Sequence, residues 1–514
     1  MVLQDISPRD YQKAILETAK NNNTLVVLPT GVGKTLIALM LAVERLEKHP
    51  DKKILFLAPT KPLVEQHLAS FKKILPELFA QLEIFTGTIP AKTRKKLWDT
   101  SEIIFSTPQC VANDISNYLY DLKEVSLLII DEAHRCLKNY DYTKVARQYK
   151  SQAIYPRILG LTASPGSDSG KVKQICDNLN IEKIEIRTRD SEDVKPYLQE
   201  LEFEKHLVPF PKEFLEIKVL LKRIYDNKVN QLRERSLLFG PANKITLLTL
   251  QGRLAAQANQ KNGNAMYGMS LTAQAIKISH ALELLETQTL SGLNTYLSKL
   301  VKESETKKSK GVQTIVNSPE FQASLISLKK LLAEKIEHPK VEELKVLIEN
   351  EFKKNRDAKV IAFTQFRDTA SVIKSRLKEI PEAKPEIFVG QAKKSNSSGS
   401  TGLSQKEQKQ IIEKFREGII NILIATSIGE EGLDIPEVSA VYFYEPIPSA
   451  IRKIQRAGRT ARLSKGKLAI LITKDTRDEI NHFASTAREK KMHSIIDKVK
   501  TDLKNKPKTL KEFI

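Results

Sequence analysis

The chain has 514 residues, 41% of them hydrophobic, which exceeds what one core serves, excludes global disorder and leads us to expect roughly two to four domains. Its 83 lysines and arginines stand against 62 acids, a net charge of +21 that points to a polyanionic partner held through phosphates. Cys110, Cys136 and Cys176 form no metal-ligand cluster, no leader pattern opens the chain and the longest apolar runs (36–43) are too short to span a bilayer; we expect no membrane and a reducing, cytoplasmic setting, nucleoid-associated in a prokaryote.

From residue 1 to about 205, short β-branched runs alternate with helical patterns. Candidate strands cover 24–28, 53–58, 103–106, 126–130 and 157–161, and their near-continuous apolar character predicts a parallel sheet covered on both faces. From 206 to about 338 the periodicity is helical: Phe214, Ile217, Leu221 and Ile224 share one face, as do Leu271, Ala275, Ile278, Leu282 and Leu285. The Lys-rich stretch 299–310 within it reads as a solvated face, with a groove-facing role as the alternative. The α/β pattern returns over 339–490, with strands expected at 359–363, 387–389, 422–425, 440–444 and 468–472, and a Ser/Gly/Lys-rich loop at 391–402. Residues 491–514 read as a frayed basic tail. The fold expected is two α/β domains flanking an all-helical insertion.

The first of these strands runs into Pro29-Thr30-Gly31-Val32-Gly33-Lys34-Thr35 and then an amphipathic helix, the context a phosphate-binding loop requires. Glycines let backbone N–H groups approach phosphates, Lys34 would reach the β- and γ-phosphates of ATP, and the Thr35 hydroxyl would bind Mg²⁺. Leu28 occupies the place of the pattern's first glycine. Asp131 and Glu132 close the strand at 126–130. Asp131 is placed to hold Mg²⁺ through water, and Glu132 to orient and deprotonate the attacking water. Gln455-Arg456-Ala457-Gly458-Arg459-Thr460-Ala461-Arg462, far downstream, suggests that a second domain completes the same ATP site.

Asp131-Glu132-Ala133-His134 resembles the signature of DEAH-type superfamily 2 helicases, and other segments match that family in the expected order. The resemblance implies two RecA-like domains. It gives adenine recognition to Arg9 and Gln12, and nucleic-acid contact to Pro59, Thr60 and Lys61 and to Thr107, Pro108 and Gln109. Coupling between ATP state and domain movement falls to His134, Thr162 and Ser164. In the second domain, Thr364, Gln365, Thr426 and Ser427 would touch the strand, Gly432 and Asp434 the nucleotide, and Gln455, Arg459 and Arg462 the γ-phosphate. Arginine suits that role because its planar fork makes bidentate, always-charged phosphate contacts. Ala461 replaces a glycine of the usual form, which a helical position would tolerate.

The nearer resemblance is to the archaeal Hef helicases and their eukaryotic Fanconi-anaemia M-type relatives. It rests on Leu28 to Gly31, Lys61 to Leu63, Asp131 to Arg135, Thr162 to Gly166 and Tyr444 to Arg452, and above all on His280 to Gln288 inside the insertion. It implies an ATP-dependent motor on branched DNA, such as forks and four-way junctions, in DNA repair and fork restart, with the insertion selecting the branched structure. No paired-carboxylate nuclease pattern follows residue 490, so only the helicase portion is expected here, with a separate nuclease as a candidate partner. Dicer-type and RIG-I-like motors on duplex RNA are the alternative. A junction-binding scaffold without catalysis is the reading from another class. The tail carries Leu510, Phe513 and Ile514 at a spacing that resembles a degenerate sliding-clamp-binding motif.

Overall fold

The computed structural model describes residues 7–76, 78–258, 262–306, 309–390, 395–396, 399–400, 402–426, 435–447, 449, 460 and 465–504. The first α/β body is a seven-stranded, all-parallel sheet in the order β3-β4-β2-β5-β6-β1-β7. Its strands are β1 Thr24–Val27, β2 Lys53–Leu57, β3 Leu82–Phe85, β4 Ile103–Ser106, β5 Val125–Ile130, β6 Ile158–Thr162 and β7 Lys183–Ile186. Side chains alternate across it: Leu25, Val27, Leu128 and Ile130 pack into one core, whereas Val26, Leu127 and Ile129 pack into the other. Both faces are covered by helices α1 Asp10–Asn21, α2 Lys34–Lys48, α3 Lys61–Ile74, α4 Ala91–Thr100, α5 Pro108–Ser116, α6 Asp141–Gln152 and α7 Ser169–Asn178.

The next strand, β8 Leu201–Val208, does not join that sheet. It pairs in parallel with β15 Gly466–Thr473 at the edge of the second sheet, Leu201 opposite Gly466 and Val208 opposite Thr473. The boundary expected at 205 therefore cuts through a strand of the second body. Charges at Glu202, Glu204, Lys205 and His206 hid it, because an edge strand keeps polar groups outside.

The insertion consists of α8 Leu215–Glu234, α9 Lys244–Ala258, α10 Gly263–Thr287, α11 Leu290–Glu305, α12 Lys310–Val316 and α13 Pro319–Ala333. Both predicted faces are inside: Phe214, Ile217, Leu221 and Ile224 meet Ile278, Leu282 and Leu285 in one core, and Leu271 and Ala275 join a second. At the end of α11 the lysines of the Lys-rich stretch face solvent while Leu297 and Leu300 point inward.

The second sheet has the order β10-β13-β9-β14-β15-β8. It uses β9 Val360–Phe363, β10 Pro385–Phe388, β13 Ile422–Ala425 and β14 Ala440–Phe443, with a small hairpin of β11 Ser395–Asn396 and β12 Gly399–Ser400 beside it. Helices α14 Lys340–Lys354, α15 Arg367–Leu377 and α16 Gln405–Arg416 belong to this body. A last helix, α17 Arg477–Lys504, leaves β15 and returns to the first body. Residues 491–504 are therefore not frayed. Met492, Ile495, Ile496 and Val499 recur at helical spacing under the lysines and are buried with Val172, Ile175 and Cys176. Among the described residues no helix is long and apolar enough to cross a membrane.

Candidate nucleotide and nucleic-acid site

The expected chemistry sits at the C-terminal ends of adjacent strands, where open α/β sheets bind ligands. In the order β4, β2, β5, β6, β1, these ends carry Thr107, Thr60, Asp131, Thr162 and the phosphate loop. At about 4.8 Å per strand step, β2 and β1 lie roughly 14 Å apart, with Asp131 between them.

Gly31 and Gly33 both adopt left-handed backbone, at φ 84° and 86°. A Cβ on Gly33 would meet Gln12 Nε2 at 2.3 Å and displace that amide, and the positive φ itself favours glycine there. Gly33 caps α2, whose N-terminal end adjoins the loop. Lys34 Nζ donates to the carbonyls of Leu28 (2.9 Å) and Pro29 (3.1 Å), curled inside the loop. Beneath it, Tyr11 donates its hydroxyl to Val32 O at 2.6 Å, and the Gln12 amide reaches Val32 O at 3.3 Å. Gln12 also accepts the Arg9 N–H at 2.9 Å and is almost fully buried. Gln12 thus braces the loop from beneath, next to where a nucleotide bound on that loop would lie.

Asp131 is buried at the end of β5, and the Tyr142 hydroxyl holds its carbonyl at 2.9 Å. Burial alone would raise its carboxyl, but His67, Lys34 and the Glu132 N–H together hold it below the ordinary carboxylate range. Glu132 follows in left-handed backbone, φ 53° and ψ 48°, a conformation that costs a non-glycine residue about 1–2 kcal/mol. His134 Nδ1 lies 3.1 Å from Glu132 Oε2 and 3.1 Å from Thr162 Oγ1, and the hydrogen-bond geometry goes to the threonine. Glu132 Oε2 is left buried without an aligned hydrogen bond, an acceptor with capacity to spare. Thr162 Oγ1 in turn takes the Ser164 N–H at 3.1 Å, so His134, Thr162 and Ser164 form one continuous chain. Ser164 then touches Met492 of α17.

One residue escaped the sequence reading. His67 of α3 is 7% exposed, with Nε2 2.9 Å from Asp131 Oδ2 and Nδ1 3.5 Å from Thr35 Oγ1. The only signal was a histidine on the stripe Val64, His67, Phe71, which reads as core-facing. Thr35 and Asp131 offer a hydroxyl and a carboxylate, hard oxygen donors suited to Mg²⁺ that keeps waters and phosphate oxygens as its other ligands. Among the described residues no group of three or more His, Cys, Asp or Glu is placed to hold a metal ion.

On the neighbouring strand ends, Thr60 caps α3 with a buried hydroxyl that has no hydrogen-bond partner, and Pro59 beside it is half-buried. Lys61 Nζ reaches Thr88 Oγ1 at 3.3 Å. Thr107 caps α5 likewise, Pro108 is buried as its first residue, and Gln109 is exposed. In the second body Thr364 is fully buried, donating its hydroxyl to Glu445 at 3.3 Å, so the outward position at the end of β9 belongs to Gln365. Thr426 follows β13 on the adjacent strand end. Ser427, Gly432, Asp434, Gln455, Arg459 and Arg462 lie outside the described residues, as do Leu510, Phe513 and Ile514; of the octet 455–462 only Thr460 is described, bonded through its hydroxyl to Val438 O at 2.6 Å.

The segment 280–288 joins the insertion to the second body. His280 packs on Phe366 (5.7 Å between centroids), Gln288 accepts the Thr369 hydroxyl at 2.9 Å, and Glu286 pairs with Arg477. Glu283 lies between His280 and Lys244; burial works against its charge, yet hydrogen bonds from His280 and Lys244 and the charge of Lys244 hold its carboxyl down at about 2.

Residues 9–172 match the family model described as DEAD/DEAH box helicase, and residues 339–464 the helicase conserved C-terminal domain. Residues 213–337 match the helical bundle of a provisionally named ATP-dependent RNA helicase. The crystal structure of the Pyrococcus furiosus Hef helicase domain is similar over 94% of this chain and 100% of its own, with 40% identity and a TM-score of 0.72. A provisionally named ATP-dependent RNA helicase of Methanocaldococcus jannaschii is 37% identical over 494 residues, 96% of this chain. The ATP-dependent DNA helicase fml1 of Schizosaccharomyces pombe is 34% identical over 481 residues, 91% of this chain. This chain spans 61% and 57% of the length of those two relatives.

Proposed function

We propose that this chain, which belongs to the Hef-type family of DEAH-type superfamily 2 helicases, is an ATP-driven motor on branched DNA. The observation that carries the catalytic part is that one side chain, His67, touches both Thr35 and Asp131 at the ends of β1 and β5, while Glu132, next in sequence to Asp131, keeps a buried Oε2 without an aligned hydrogen bond. When bound, ATP with Mg²⁺ supplies the phosphoanhydride bond whose hydrolysis drives the cycle. Thr35 and Asp131 would hold the ion, Lys34 would leave its loop carbonyls to neutralise phosphate, and Glu132 Oε2 would accept the proton of the attacking water. The chain from His134 through Thr162 to Ser164 is suited to report the occupant of that site to the domain interface. Thr60, Lys61, Thr107 and Gln109, with Gln365 and Thr426, would grip one strand through its backbone, which makes affinity fall steeply with salt. Gln455, Arg459 and Arg462 remain the proposed γ-phosphate contacts, and Gly432 and Asp434 the proposed nucleotide contacts.

The relatives are named as RNA and as DNA helicases, and backbone contacts at the strand ends do not discriminate. The likeness to the Hef helicase domain extends through the insertion, and it favours branched DNA in repair and fork restart. A sliding clamp bound through Leu510, Phe513 and Ile514, and a separate nuclease, are proposed partners in an intracellular setting. ATPase and strand separation across single strand, duplex, fork, four-way junction and RNA duplex test the reading. Stimulation by RNA duplex but not by forks would reject the DNA assignment, and a Glu132→Gln protein that still turns over ATP normally would reject the catalytic one.

A further inference from the structure

α3 carries two kinds of residue that nothing else brings together. Its first turn holds Thr60 and Lys61, which face the proposed nucleic-acid path, and His67 lies six residues on. At 1.5 Å per residue that is about 9 Å along one rigid helix. There the imidazole is wedged between the carboxylate of β5 and the hydroxyl of the phosphate loop, 2.9 Å and 3.5 Å away. Nε2 faces the carboxylate, which can only accept, and Nδ1 faces the Thr35 hydroxyl. The ring is not free to turn aside. It packs on Phe56 with centroids 4.5 Å apart, and Phe56 is itself locked against Phe71 and Phe105.

A third input reaches the same helix. Glu65, on α3 between Lys61 and His67, lies 3.8 Å from Lys61 Nζ and 2.7 Å from Lys409 Nζ on α16 of the second body. A cleft of about 500 Å³ separates α3 from α16 around that bridge. Strand contact, second-body contact and both oxygen donors of the proposed Mg²⁺ site therefore converge on one helix.

We propose that His67 is the positioning residue through which nucleic acid bound at the start of α3 alters the affinity of the nucleotide site. The inference rests on the motor reading above and assigns a residue to its internal coupling. Phosphate drawn to Lys61 and to the free Thr60 hydroxyl shifts α3. His67 transmits that shift to Asp131 and Thr35 together, because it touches both. By linkage the effect is reciprocal: nucleotide must alter nucleic-acid affinity by the same factor. A histidine that merely fills space beside Phe56 would carry no such factor.

The test is a titration of a fluorescent ADP with Mg²⁺, with and without saturating forked DNA, on wild type, His67→Ala and His67→Gln. Wild type should show an affinity ratio within the range of about 5- to 150-fold. His67→Ala should bring that ratio below about twofold and leave DNA affinity, measured without nucleotide, close to wild type. His67→Gln keeps a donor toward Asp131 and should restore part of the ratio; it also serves as the reporter if the alanine variant does not fold. A wild-type ratio in His67→Ala, or a glutamine variant no better than alanine, overturns the proposal. A wild-type ratio seen with RNA duplex but not with DNA defeats the substrate reading alone, and the His67→Ala comparison is then made on RNA.

Discussion

Lys340 gives the sharpest energetic expectation. It opens α14 and is fully buried, with Nζ 2.8 Å from Asp478 Oδ2 at the start of α17 and 2.7 Å from the Thr287 carbonyl at the end of α10. Its ammonium also lies 4.6 Å from the centre of the Tyr444 ring. Asp478 takes the N–H and hydroxyl of Thr473, both at 3.1 Å, and its Oδ1 has no hydrogen-bond partner. Burial pushes the Asp478 carboxyl above its ordinary range even with Lys340 beside it, so the anion depends on that cation. Lys340→Ala strands the carboxylate and the Thr287 carbonyl together, and removing one member of a buried pair costs about 3–5 kcal/mol. The loss should appear as a lower urea midpoint for the second body and as faster hydrogen exchange in β15 and the end of α10. Lys340→Met with Asp478→Asn removes both charges, keeps an acceptor for Thr473 and should recover more than half of the loss. A Lys340→Ala loss below about 1 kcal/mol, the range of an exposed pair, would refute the reasoning.

Gly33→Ala should weaken nucleotide binding about 5- to 30-fold from backbone strain of about 1–2 kcal/mol. Adding Gln12→Ala removes the 2.3 Å clash but not the positive φ, so calorimetric affinity should stay low; full recovery would show that strain is irrelevant. Glu283 makes an acid-limb prediction. Its carboxyl is depressed from 4.5 to about 2, so its contribution is complete above pH 4.5 and is lost as pH falls from there through about 2. The shift corresponds to roughly 3 kcal/mol, and Glu283→Gln should flatten the pH dependence of stability in that window. An unchanged acid limb in circular dichroism would assign that limb to other carboxylates.

The sequence told most where chemistry and backbone demand coincide. A phosphate loop needs glycine at positive φ, and an apolar strand ending in Asp131 and Glu132 announces itself, so the ends of β1 and β5 were legible. Thr364 was not, because a resemblance transfers a position and not an environment, and only the fold shows its hydroxyl turned to Glu445. Nor was the bracing contact of Gln12, whose amide is engaged by the loop carbonyls, carried by the motif. β3 and β7 are four-residue strands at the sheet edges, and β8 is an edge strand with charges on both faces; all three lack the continuous apolar run that marks an interior parallel strand. α17 carried its periodicity under a heavy lysine load. His67 looked like core because its partners lie far away in sequence and nowhere near it in pattern.

The contacts that fasten the insertion also predict how the molecule moves. Glu286 with Arg477, Gln288 with Thr369, and Lys340 with Thr287 and Asp478 tie the C-terminal end of α10 to α14, α15 and α17 of the second body. Buried, multiply bonded junctions of this kind resist relative motion, whereas the two α/β bodies meet at exposed bridges such as Glu65 with Lys409, worth about 0–1 kcal/mol. Motion should therefore divide the molecule there, with the insertion carried on the second sheet. α17 complicates the division, because it starts in that junction and ends buried against the first body, a tether across the moving interface. Spin labels can separate the alternatives at exposed sites: Ile326 on the insertion, Val346 on the second body and Tyr140 on the first. The 326–346 distance should hold through ATP-analogue binding while the 326–140 distance shifts. If 326–346 moves as far as 326–140, the junction is a hinge, and the charges buried around Lys340 do not make the two parts one rigid unit.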